Sequence, residues 1–234
     1  FSDKGIYEKL LHEINHQLCK HNIKITEGVI VDATLVESHA RPRKREIIET
    51  EPVGDDAIPG RTTFQATELM VEESKDRDAR WLKNGKKTTY GYKGHTVVDK
   101  EHGLVQAIEV TPANVFDGHM LIPLVESLKL AEETEVLADK GYCSQENEDA
   151  LREKNLISRI MRKKKKNQEM PEETKAFNHS VSKQRYRVER SFGGLKKHFG
   201  WSRSIYMGLQ KTADYLFMGA IAFNLKRSLK ILRS

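Results

Sequence analysis

Three acidic positions stand out as places where chemistry is possible. Asp32 interrupts GVIVDATLV (residues 28–36), a run otherwise dominated by Val, Ile, Ala and Leu. An ionised carboxylate in such a run is costly unless it is paired or binds a metal. Asp139 closes the apolar part of EVLADKGYC (135–143). Glu189 lies in VSKQRYRVERSFGGLKKHFG (181–200), with Arg185 one helical turn before it and Lys196 two turns after. Each has a plain structural reading. Asp32 could be satisfied by backbone donors or an arginine, and Arg185 with Glu189 could be a weak i,i+4 surface pair. Taken together, three carboxylates from three separate elements form an all-oxygen ligand set. That set suits Mg²⁺, or Mn²⁺ in its place, with positions left open for a phosphate. Two such ions support in-line displacement at phosphorus.

The elements that must position these residues follow from hydrophobic period. Residues 28–36 are rich in β-branched side chains and apolar at both parities, which predicts a strand covered on both faces. TTYGYKGHTVVD (88–99) and GLVQAIEVT (103–111) predict a hairpin. Residues 117–130 predict a helix capped by Asp117, with Pro123 inside it. Residues 135–143 predict a short strand, 144–155 a capped helix, and 156–161 a further strand. Two long helices, 172–199 and 210–231, complete the chain. On the first of these, Val181, Val188, Phe192, Leu195 and Phe199 share one face, the predicted buried stripe. Ser182, Arg185, Glu189 and Lys196 lie at its edge. This element order is that of an α/β, ribonuclease-H-like fold: a mixed sheet flanked by helices, with a polar insertion at about 38–80 after the first strand. In that topology the strands of Asp32 and Asp139 are neighbours.

Charge is divided unevenly. Residues 152–234 hold 21 Lys and Arg against 6 Asp and Glu, while the remainder of the chain is net acidic. A basic C-terminal third points to a polyanion, most simply nucleic acid. Arg162, Lys163 and Lys164 open the run RKKKK, which suits either backbone contact with DNA or a solvated loop. Two cysteines, Cys19 and Cys143, form no metal or disulfide framework, so a reducing setting is expected. No stretch is long enough to span a bilayer; YLFMGAIAF (215–223) reads as a core helix. Residues 4–20 read as an amphipathic helix that contains HEINH (12–16). This matches the H-E-x-x-H zinc pattern, but His12 and His16 fall opposite the apolar stripe and face water. Trp81 and Trp201 suit either stacking on bases or the core.

Five segments in order resemble the bacterial insertion-sequence DDE transposases, in particular the insertion-sequence-five group. They are GVIVDATLV, DARWLKNGKKTTYGYKGHTVVD, GLVQAIEVTPANVFDGHML, VLADKGY and RYRVERSFGGLKKHFGW. The resemblance implies metal-dependent cleavage at insertion-sequence ends and transfer of the 3′-hydroxyls into target DNA. It implies a catalytic, metal-binding triad of Asp32, Asp139 and Glu189 with two Mg²⁺ or Mn²⁺ ions. In the family's pattern around the glutamate, Arg185, Glu189 and Lys196 match; Ser182 stands where the family has Tyr. Arg185 and Lys196, with Lys93, Lys140, Arg162, Lys163, Lys164, Arg190 and Lys197, are the expected DNA contacts. Tyr92, His95, Asn114 and Asp117 belong to the same blocks. The implied partners are double-stranded DNA and further copies of the chain, a homodimer or larger, without a membrane. The implied location is the bacterial cytoplasm, at the nucleoid. Because the chain starts at Phe1, residues 1–27 read as the remnant of a longer N-terminal region and 28–231 as the catalytic domain. The alternative reading is a catalytically silent or co-opted DNA-binding remnant.

Overall fold

The computed structural model describes residues 5–21, 23, 28–42, 44–46, 69–71, 74–164 and 167–233. Residues 47–68 of the expected insertion, and Lys165 and Lys166 of the RKKKK run, lie outside the described residues. The helices are α1 (Ile6–Lys20), α2 (Leu121–Glu126), α3 (Gln145–Glu153), α4 (Glu172–His198) and α5 (Leu209–Ile231). The strands are β1 (Gly28–Ser38), β2 (Lys44–Glu46), β3 (Leu69–Val71), β4 (Arg80–Asn84), β5 (Lys87–Asp99), β6 (Val105–Pro112), β7 (Glu135–Ala138), β8 (Ile157–Ile160) and β9 (Arg203–Ser204).

The main sheet runs β4-β5-β1-β7-β8, with β6 on β5 and β9 on β1. β5 is antiparallel to β1, β4 and β6, whereas β7 and β9 lie parallel to β1 and β8 parallel to β7. Helices cover both faces of this mixed, ribonuclease-H-like sheet. Ile30, Val36, Tyr92, Val98 and Leu137 pack under Leu11 of α1, Val181, Val188 and Leu195 of α4, and Leu216 and Ala220 of α5. Val29, Val31, Val97, Val136 and Ala138 pack on the other face with Leu121, Leu124 and Val125 of α2 and Leu151 of α3. The double-sided apolar pattern of β1 thus has its physical cause: each parity meets its own helix layer.

Most elements fall where the periodicity places them. One differs. Residues 117–130 form a 3₁₀ turn (Asp117–Met120) followed by the short helix α2, not one long helix capped by Asp117. Asp117 cannot serve as the cap because its carboxylate takes the ammonium of Lys93, 2.7 Å away. α4 buries Val181, Val188, Phe192 and Leu195 as its stripe requires, with Ser191 beside them. In α1, His12 and His16 are exposed. The buried polar residue of HEINH is instead Asn15, whose Nδ2 donates to Val105 O at 2.9 Å. Asn224 of α5 donates to Asn15 Oδ1 at 2.9 Å and accepts from Val105 N–H at 2.9 Å, tying α1 and α5 to β6. Trp201 is a core residue whose Nε1 donates to Leu216 O. Trp81 is part-exposed, beneath the Arg41 guanidinium at 4.9 Å.

A buried carboxylate ties the far end of β1 to the sheet and to α5. Asp76 accepts from Ser38 Oγ at 2.6 Å, from the hydroxyl of Tyr92 and from Gly208 N–H at 3.0 Å. Nearby, Gly91 is required by close strand approach, since a Cβ there would come 2.1 Å from Val36 O. Replacing Asp76 by Ala orphans two buried hydroxyls and the part-buried Gly208 N–H. Asp76→Ala is expected to lower stability by about 3 kcal/mol, read as a drop in the urea midpoint with the slope unchanged.

Candidate active site

Asp32 and Asp139 are brought together by strand register. β1 and β7 pair Gly28 with Glu135, Val29 with Val136 and Ile30 with Leu137. Two residues further along the same parity, Asp32 stands beside Asp139 at the point where β7 ends. β5 occupies the other edge of β1, so β7 and β9 share this one. β9 takes it up again only at Glu37 and Ser38. Between them β1 has a notch, and Asp32 opens into it on the face that α4 covers.

Asp139 is held by its own turn. It caps the 3₁₀ turn Lys140–Tyr142, and its Oδ1 accepts from Gly141 N–H at 2.6 Å. A Cβ at position 141 would lie 2.8 Å from that same oxygen, so the glycine permits the contact. Asn147, in the first turn of α3, then donates to Tyr142 O at 2.8 Å and Gly118 O at 3.1 Å. The turn bearing Asp139 is thereby fastened to the turn bearing Asp117.

Asp32 is held by α4. Arg185 Nη2 donates to Asp32 Oδ2 at 2.6 Å, with side-chain exposures of 12% and 19%. Ala33 N–H donates to the other oxygen at 2.9 Å. Burial raises the Asp32 pKa above its ordinary value; Arg185 and the Ala33 amide oppose the rise, and Asp139 adds to it. Desolvation outweighs the ion pair, as expected for a carboxylate taken into a sheet interior.

Glu189 follows Arg185 by one turn on α4 but is exposed, without a hydrogen bond or ion pair among the described residues. Among those residues no group of three or more His, Cys, Asp or Glu is close enough to share an ion. Two of the expected ligands are therefore adjacent, and the third stands one helical turn from the residue that touches the first. The donor set still fits a hard divalent cation. Asp32 already draws a cationic group, the ligand atoms are all carboxylate oxygens, and the Tyr142 hydroxyl nearby is buried without a partner.

The expected DNA contacts divide into two groups. Lys140, Arg162, Lys163, Lys164, Arg190, Lys196 and Lys197 are exposed. Arg162 stacks over Phe177 at 5.0 Å, and Lys163 Nζ donates to Cys143 O at 2.9 Å. Lys93 and Arg185 are not surface cations. Lys93 is buried and donates to Val115 O and Asp117 Oδ1, both at 2.7 Å. Arg185 is committed to Asp32. Beside Lys93, His95 is wholly buried, with Nε2 on Thr111 Oγ1 at 2.8 Å. Burial lowers its pKa to about 4, leaving it neutral near pH 7.

With this geometry in view, the chain is a member of the DDE transposases. The family model described as the transposase DDE domain matches residues 24–225. A transposase for insertion sequence element IS1106 from Neisseria meningitidis serogroup B is 38% identical over 222 residues. That match covers 94% of this chain and 72% of the relative. Among the described residues no helix is long and apolar enough to cross a membrane.

Sequence reasoning missed Asn147, whose side-chain amide clamps Tyr142 O and Gly118 O through contacts that no spacing announces. The Arg185–Asp32 pair supplies a test. Removing the guanidinium leaves a buried, unpaired carboxylate whose pKa rises further. A raised folded-state pKa means that the penalty is full above it and is relieved as pH falls below it. Arg185→Met is thus expected to cost about 3 kcal/mol at pH 7. The gap to wild type should narrow as the pH drops toward the ordinary Asp value of 3.8. Urea midpoints across pH 4–8, compared as variant minus wild type, check this; a gap independent of pH contradicts it.

Proposed function

We propose that this chain cleaves DNA at the ends of an insertion sequence and joins the resulting 3′-hydroxyls to target DNA, with divalent ions held by Asp32, Asp139 and Glu189. The observation that carries the reading is the meeting of Asp32 and Asp139 at one notch of the sheet, beneath the helix that bears Glu189, in a chain of the DDE family. Mg²⁺, or Mn²⁺ in its place, bound there as an ion pair would supply activation of the attacking oxygen and charge stabilisation at the leaving one.

The chain's own residues do the rest. Asp32 presents its carboxylate from within β1, and Asp139 from the turn that ends β7. Arg185 orients Asp32 and opposes its protonation, and an ion bound there would take the place of the guanidinium. Glu189 stands outside the pair and would join it through a change of side-chain rotamer or a small turn of α4. Arg190, Lys196 and Lys197 on the exposed side of α4, with Lys140 and Arg162, Lys163 and Lys164, hold phosphates and position the strand without reading bases. Two ends cut in concert need at least two copies of the chain. A second reading, a DNA-binding remnant without cleavage, is favoured by one observation: Glu189 stands outside the carboxylate pair.

The test is nicking of a supercoiled plasmid carrying the element ends, in Mg²⁺ or Mn²⁺, by wild type, Asp32→Asn, Asp139→Asn and Glu189→Gln. Each variant is expected to lose cleavage by about 100-fold or more, the scale of losing a group that stabilises the transition state. DNA affinity should be preserved. Full cleavage by Asp32→Asn would refute the reading. DNA binding without cleavage by the wild type would favour the silent remnant.

A further inference from the structure

Tyr142 has a hydroxyl with nothing to bind. The side chain is 1% exposed, its ring lies in the cluster of Leu121, Leu124 and Leu151, and its oxygen has no hydrogen-bond partner among the described residues. A phenylalanine would fill the same ring pocket and spare an unsatisfied polar atom, which is a net cost in a folded chain. The hydroxyl therefore asks for a partner.

Its surroundings define that partner. The carboxylates of Asp32, Asp117 and Asp139 and the guanidinium of Arg185 lie close enough to act on the phenol electrostatically. Its hydroxyl has a proton to donate, yet it hydrogen-bonds to none of those carboxylates. A donor placed among anions without touching them fits one acceptor class: an oxygen shared with those anions, such as a water or a carboxylate drawn inward by a cation. The backbone beneath it is fixed. Tyr142 N–H donates to Asp139 O at 3.1 Å, Gly141 N–H holds the Asp139 carboxylate, and Asn147 clamps Tyr142 O. The backbone of Tyr142 is thus fastened to that of Asp139. Asp117 pairs with Lys93 at 2.7 Å, and Asp32 and Asp139 are the carboxylates that the ion-binding reading assigns to the ion.

We propose that Tyr142 is a positioning residue of the ion site: its hydroxyl donates to an oxygen in the coordination shell of a divalent cation held by Asp32 and Asp139. The Lys93–Asp117 pair and Asn147 form the rigid support behind it. The inference rests on the ion-binding reading above and adds to it a residue outside the three acids. Partners of this kind orient ligands, and their loss commonly weakens metal affinity by 10–100-fold.

The test uses Tyr142→Phe, which removes only the oxygen, and Asp32→Asn as reference, both in the full chain. Mn²⁺ affinity is read by electron paramagnetic resonance of the free ion, and the melting temperature is read in EDTA. The expected result is a melting temperature in EDTA equal to or above wild type, with the Mn²⁺ dissociation constant raised about tenfold or more. A dissociation constant within twofold of wild type overturns the inference while leaving the ion site standing. A fall in melting temperature in EDTA also overturns it, because the hydroxyl then has a structural partner in the ion-free protein. Wild type that binds no Mn²⁺, or Asp32→Asn that binds it as wild type does, overturns the ion site and this inference with it.

Discussion

A carboxylate inside a sheet demands a positive charge, and the arrangement around Asp32 follows from that demand. The residue sits on β1, which pairs with β5 along one edge and with β7 and β9 along the other. Its neighbours on the strand are apolar, so water cannot solvate it fully. The ion-free chain meets the demand with Arg185, delivered from α4 across the sheet. Because burial still raises the Asp32 pKa against that arginine, the pair is an incomplete solution. A divalent cation carries twice the charge in a smaller radius and can bind both aspartates at once. The same desolvation that makes the position costly in the ion-free chain makes it a good place for an ion.

The supports around the pair divide by charge. On the α4 side stands the Arg185 guanidinium. On the opposite side, Lys93 and Asp117 neutralise each other in the interior beside a neutral His95. That pairing keeps a further carboxylate near the site without adding a further net charge to it. Asn147 joins the two 3₁₀ turns, so that Asp139, Tyr142 and Asp117 share one rigid platform. A carboxylate whose backbone is fixed in this way would lose little freedom on taking a ligand.

Outside the notch, the charge pattern changes sign. The exposed side of α4 and the segment after β8 carry exposed cations of the C-terminal third. In the proposed function, DNA and metal would reinforce each other: an ion would screen the aspartates from the phosphates, and the phosphates would offer the ion its remaining ligands.

Much of this was legible in the residues themselves. The two-sided apolar pattern of β1, the stripe of α4 and the alternation of strands and helices are periodic, and periodicity is local. An acid placed in such a pattern is conspicuous, so Asp32 could be singled out from its neighbours alone, and the histidines of HEINH could be placed in water from the helical wheel. What remained hidden was pairwise and long-range. Nothing near Lys93 announces that its ammonium belongs to Asp117 rather than to DNA. Arg185 and Asp32 are 153 positions apart, and only the packing of α4 on the sheet sets one against the other. The break of the 117–130 segment into a turn and a short helix has the same origin, since the carboxylate that could have capped the helix was taken by a strand. Local sequence determined which elements form and which faces they bury, because backbone propensity and burial act over a few residues. Tertiary structure alone decided which charges meet, because an ion pair depends on distance in space, and distance in space is set by register and packing.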